Sequence, residues 1–105
     1  MRRAAKIDHT QTAVVSALRA AGCKVLSLAA CGKGVPDILA MAPPVGGLES
    51  IVWPGLFLLE VKNPAGRGTS LTPDQVKFHA EWPVTVVTTP EEALAAVGIH
   101  NRGVE

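Results

Sequence analysis

Tyrosine is absent from this 105-residue chain, and only two Phe and two Trp supply aromatic rings. So few aromatics argue against sequence-independent grip of single strands by base stacking. Cysteine is nearly as scarce. Cys23 and Cys31 are too few for a disulfide scaffold, and no second Cys/His cluster completes a zinc spacing. Both read as small buried thiols of a reducing compartment. No apolar run approaches the roughly 18 residues that a membrane span needs. Arg2 and Arg3 lead into Asp8-His9-Thr10-Gln11 and not into an apolar stretch, which argues against a secretory signal. A soluble, cytoplasmic protein without membrane contact is expected. An excess of one charge is missing as well: ten Lys+Arg against nine Asp+Glu give +1, so neither a uniformly basic coat nor an acidic tail is present.

What is present is the balance of a folded globule, 48% hydrophobic and 18% charged. At roughly 100–200 residues per domain, the length fits one domain spanning residues 1–105. The charge is unevenly placed. Residues 1–34 hold six basic side chains (Arg2, Arg3, Lys6, Arg19, Lys24, Lys33) and one acid, Asp8, whereas residues 35–105 hold four basic and eight acidic groups.

Asp8-His9-Thr10-Gln11 has the form of a capping box, and Val14, Leu18 and Ala21 repeat at helical spacing until Gly22. Gln11 falls at the top of the inward face of that helix. Lys24 to Ala30 reads as a strand leading into a flexible Gly32-Lys33-Gly34, and Asp37 to Met41 as a second strand. Ile51-Val52-Trp53, between Pro/Gly turns, extends the connection between strands. The next strand, Leu56 to Lys62, begins apolar on both faces, as a central strand covered on both sides would. Thr72-Pro73-Asp74-Gln75 opens a helix that Pro83 stops near Trp82, with Phe78 and Trp82 as its core face. Val84 to Thr88 is a β-branched strand, and Thr89-Pro90-Glu91-Glu92 caps a last helix that ends at Gly98. The order is α-β-β-β-α-β-α, an α/β fold with a central mixed sheet flanked by helices.

One strand is locally inconsistent. After Leu56-Phe57-Leu58-Leu59 it ends in Glu60 and Lys62, which alternation places on one face. Burying an unpaired charge is costly, so something must offset it, and a mutual Glu-Lys contact at a solvated strand end is the plain reading. Asp37 changes the odds. If its strand pairs with the Glu60 strand as a hairpin, two carboxylates meet at one sheet edge beside an ammonium. Such a group suits Mg²⁺, which takes one or two carboxylates, keeps waters and accepts phosphate oxygens. Gly32-Lys33-Gly34 lacks the flanks of a phosphate loop and is better used as a loop from which Lys33 meets a phosphate. His9, His79 and His100 show no ligand spacing, and His79 reads as a helix-surface residue.

Gly34-Val35-Pro36-Asp37, then Glu60-Val61-Lys62, then Leu71-Thr72-Pro73-Asp74-Gln75 resemble the pattern of the VRR-NUC (virus-type replication-repair nuclease) branch of the PD-(D/E)XK nuclease superfamily. Asp8-His9-Thr10-Gln11 and Leu18-Arg19-Ala20-Ala21-Gly22 are similar to the first helix of small phage members, and the likeness spans about residues 6–98. It implies the restriction-endonuclease-like core and Mg²⁺- or Mn²⁺-dependent hydrolysis of phosphodiester bonds in structured or branched DNA, such as flaps and Holliday junctions. Carried over residue by residue, Asp37, Glu60 and the Val61 carbonyl would ligate the metal. Lys62 would position the attacking water or stabilise the transition state. Gln75 matches the family's helix Gln near the site, although its capping box explains it equally well.

Two departures from the pattern stand out. Many members carry a Glu on the first helix, where this chain has Gln11 inward and Asp8 as a cap, so these two are auxiliary candidates only. The segment 42–55 is longer than the usual link between the catalytic strands. It reads first as an extended hairpin, and second as a contact of a homodimer. Arg2, Arg3, Lys6, Lys33 and Arg67 are the candidates for DNA phosphate contacts. A catalytically silent DNA- or protein-binding module on the same scaffold is the alternative function. A sequence-specific restriction enzyme ranks lower, because no recognition insertion accompanies the minimal core.

Overall fold

The structure is a computed structural model that describes residues 9–46, 50–52, 55–65 and 70–99. Helix α1 (His9–Ala20) buries Val14 and Leu18 completely. One turn apart, they form the inward stripe, and each contributes roughly 1.5–3 kcal/mol of apolar burial. The helix stops in a Schellman motif. Gly22, at φ +94°, donates to the Arg19 carbonyl at 3.0 Å, and the Cys23 N–H reaches back to Leu18 at 3.0 Å.

Four strands form the main sheet in the order β1 (Lys24–Ser27), β2 (Ile38–Met41), β5 (Leu56–Val61), β6 (Val84–Val87). The β1/β2 and β2/β5 pairs are antiparallel and β5/β6 is parallel, so the sheet is mixed, as expected. The parallel pair needs a crossover, which α2 (Pro73–Glu81) supplies. Helix α3 (Pro90–Ala96) follows β6. Two of the three expected caps form: the Thr72 hydroxyl accepts from Gln75 N–H at 3.2 Å, and that of Thr89 from Glu92 N–H at 3.0 Å, whereas Asp8 lies outside the described residues. Within the segment 42–55, β3 (Val45–Gly46) and β4 (Ile51–Val52) pair as a two-residue antiparallel ladder, so this stretch does extend the hairpin between β2 and β5.

Alternation and register assign the two sheet faces. Ile38 and Ala40, Leu59 and Val61, and Val87 share one face and are all buried. There α1 and α3 pack on each other and on the sheet, closing a core with Val14, Leu18, Ala93 and Val97. The opposite face carries Leu39, Met41, Leu56, Leu58, Val84, Val86 and, at one end, Glu60.

Four expectations need correction. The first strand ends at Ser27, not Ala30, because the chain turns at 29–31 and then passes through positive φ at Gly32, Lys33 and Gly34. Cys23 is buried, but that turn leaves Cys31 exposed. Strand β5 is central in order yet not covered on both sides over its whole length, since Leu56 is 65% exposed. Finally, Phe78 and Trp82 are not the core face of α2. The rings stack at 5.6 Å between centroids, but Trp82 is 53% exposed and no residue of the helix is fully buried. Among the described residues no helix is long and apolar enough to cross a membrane.

Candidate active site

Asp37 immediately precedes β2, and the antiparallel register Ile38↔Leu59, continued by one residue, sets it opposite Glu60 on β5. Cross-strand neighbours of this kind have Cβ atoms about 4.5–5.5 Å apart, so the two acids converge at the sheet edge. Asp37 also closes the ladder where β2 has run out: its Oδ2 accepts the Val61 N–H at 2.8 Å. Val61 is thus tied to the site through its amide.

Among the described residues Glu60 is the buried charged group, only 2% exposed. Its Oε2 accepts from Gln75 Nε2 at 3.0 Å and lies 3.9 Å from Lys62 Nζ. Lys62 Nζ in turn donates to Gln75 Oε1 at 2.9 Å, an oxygen that also accepts the Thr72 N–H at 2.9 Å. Gln75 thus completes the capping box of α2 and, through the same side-chain amide, links the Glu60 carboxylate to the Lys62 ammonium just past the end of β5.

Burial raises the Glu60 carboxyl to about 7, reinforced by the neighbouring Asp37 carboxylate, while Lys62 pulls the other way. Two acids and one ammonium thus leave Glu60 undercompensated. Its Oε1 is buried and has no hydrogen-bond partner. Facing it at 4.0 Å is Nε2 of His79, equally buried and unpartnered. Burial, and then the Lys62 charge, lower the His79 pKa below its ordinary value, which favours the neutral ring.

His79 corrects the expectation of a helix-surface residue. The signal was its spacing from Gln75: residues four apart on a helix share a face, so a helix that turns Gln75 to the sheet turns His79 there too. A second missed element is the approach of Gly34 to α2. A Cβ there would overlap the Asp74 carbonyl and press the Gln75 nitrogen at 2.9 Å, and φ is +82°. The loop expected to be flexible is therefore seated at this point against the first turn of α2.

Of the remaining candidates, Lys33 and Gln11 lie among the described residues. Lys33 is exposed in the β1–β2 loop with φ 57°, presenting its ammonium to solvent. Gln11 is half-buried in the first turn of α1. Asp8, Arg2, Arg3, Lys6 and Arg67 lie outside the described residues, as does Trp53. Among the described residues no group of three or more His, Cys, Asp or Glu side chains is gathered as a ready metal cage. Comparison with protein-family models, with curated proteins and with solved structures finds no match in any of the three.

Proposed function

We propose that this chain is a PD-(D/E)XK nuclease of the VRR-NUC type, a divalent-metal-dependent deoxyribonuclease acting on structured or branched DNA. The observation that carries the reading is the convergence of Asp37 and Glu60 across β2 and β5, with Lys62 3.9 Å from Glu60. The element order and the mixed sheet agree with such a core. The choice of branched DNA rests on the sequence resemblance.

The donor set fits Mg²⁺ or Mn²⁺. A buried carboxylate with an orphaned oxygen, next to a second carboxylate, calls for positive charge beyond the single ammonium present. Two carboxylates, with no third acid gathered beside them among the described residues, match the habit of Mg²⁺, which keeps several waters and shares its shell with substrate phosphate. Asp37 and Glu60 would hold the cation, with the Val61 carbonyl as a further oxygen. The bound cation would polarise a phosphoryl oxygen and lower the pKa of a bound water.

The chain's own residues have distinct tasks. Lys62 brings a compact positive charge to the edge where negative charge develops on the phosphate. Gln75 fixes that ammonium through Oε1 and the carboxylate through Nε2, so both are oriented before substrate arrives. Asp37, held by the Val61 amide, keeps its carboxylate from swinging away.

The test is a panel of flaps, junctions, linear duplex and plasmid DNA incubated with Mg²⁺ or Mn²⁺. Wild type should cut at least one branched substrate, and Glu60→Ala should lose cutting at least about 100-fold, the scale of a lost electrostatic anchor. If wild type leaves every DNA uncut, the nuclease reading is wrong. Binding that weakens with salt but is never followed by cleavage would then mark a silent DNA-binding module.

A further inference from the structure

Two buried polar atoms confront each other in this site, Glu60 Oε1 and His79 Nε2, 4.0 Å apart and each without a partner. The gap is too long for a hydrogen bond. The side chains are 3% and 14% exposed. Buried polar groups are almost always paired, so a facing pair of orphans marks a contact that this arrangement leaves unmade.

The rest of the cluster narrows what that contact is. Oε2 of Glu60 is already served by Gln75 Nε2 at 3.0 Å. Lys62 is engaged with Gln75 Oε1 and lies 3.9 Å from Oε2. His79 and Gln75 both project from α2, one turn apart, and the capping box fixes the first turn of that helix. Closing the 4.0 Å gap by about 1 Å would bring the imidazole within hydrogen-bond reach of Oε1. The two oxygens of one carboxylate would then each be held by a donor from the same helix.

We propose that His79 is a positioning residue, whose Nε2–H donates to Oε1 of Glu60 and, together with Gln75 on Oε2, sets the carboxylate plane for the divalent cation. The inference rests on the metal-binding reading above. A carboxylate oxygen accepts a shorter and stronger hydrogen bond than a neutral carbonyl does. Outer partners of this kind orient ligating carboxylates, and their loss weakens metal affinity about 10–100-fold.

The test is calorimetric titration of Mn²⁺ into wild type, His79→Ala and His79→Gln. His79→Ala should bind Mn²⁺ about 10–100-fold more weakly, and His79→Gln, which keeps an N–H donor, should recover most of that loss. Wild-type affinity in His79→Ala overturns the proposal, as does a His79→Gln variant no better than His79→Ala. If wild type itself binds no Mn²⁺, the metal reading falls and this inference with it, so the two failures are told apart. A measurement on unaltered protein stands beside the variants. In long-range ¹H–¹⁵N spectra with Mg²⁺ added, His79 should show the tautomer protonated at Nε2, and a bare Nε2 overturns the proposal.

Discussion

Replacing Glu60 by Gln should stabilise the cation-free protein at pH 8 and leave it nearly unchanged at pH 4.5. Burial, with the neighbouring Asp37, lifts the Glu60 carboxyl from 4.5 to about 7. The folded state therefore holds this proton more tightly than the unfolded chain does. Stability falls as pH rises from about 4.5 to about 7 and levels off above that. At about 1.4 kcal/mol per factor of ten in proton affinity, the loss is on the order of 3 kcal/mol. An amide carries no charge to bury and still offers an oxygen to Gln75 Nε2, so Glu60→Gln escapes the loss without breaking the bridge. For a domain of this size, each kcal/mol moves Tm by roughly 4–8 °C, so the variant should melt on the order of 10–20 °C above wild type at pH 8. The assay is urea and thermal unfolding, followed by circular dichroism, at half-unit steps from pH 4.5 to 8.5 with chelator present. A difference between the two proteins that stays constant across this range would refute the reasoning.

Three other outcomes follow from the same geometry. Gly34→Ala should cost about 1–3 kcal/mol by overpacking against the backbone of α2 at a positive φ, measured by urea unfolding. Thr72→Ala and Gln75→Ala should each lose roughly 0.5–2 kcal/mol of cap stability, but only Gln75→Ala should also lose DNA cleavage, because only Gln75 touches Glu60 and Lys62. Lys62→Met should abolish most cleavage in the branched-DNA assay while Mn²⁺ still binds by calorimetry, since both carboxylates remain.

Most of the architecture was legible because local signals agreed with the fold. Thr72 and Thr89 announce their helices by hydroxyl caps, Gly22 and Gly98 end theirs at positive φ, and Val14 with Leu18 marks the inward stripe. Asp37 and Glu60 could be paired in advance because a hairpin register leaves few choices for which residues meet at its end. Coverage of the sheet was not legible. An apolar strand reads the same whether a helix lies over it or not, so the exposure of Leu56 and the half-open position of Trp82 depend on where α2 settles. His79 was missed for a related reason: three scattered histidines carry no ligand spacing, and only the rotation of α2, fixed by Gln75, turns one of them toward Glu60. The close seat of Gly34 on Asp74 is a contact between distant parts of the chain, for which glycine leaves no pattern.

The hydrogen bond from Val61 N–H to Asp37 Oδ2 makes one side chain answer to two demands. The carboxylate proposed to hold a cation is also the last rung of the β2/β5 ladder, and its removal strands a buried amide. An inactive Asp37→Ala variant would thus confound lost chemistry with a loosened sheet edge, whereas Asp37→Asn keeps an acceptor for the amide and separates the two. The same coupling bears on descent. On the proposed nuclease reading, a lineage that gave up cleavage would still be held to a carboxyl or amide side chain here by folding alone, so an acid at this position in a relative is weak testimony to activity, and Lys62, which completes no ladder through its side chain, is the better witness.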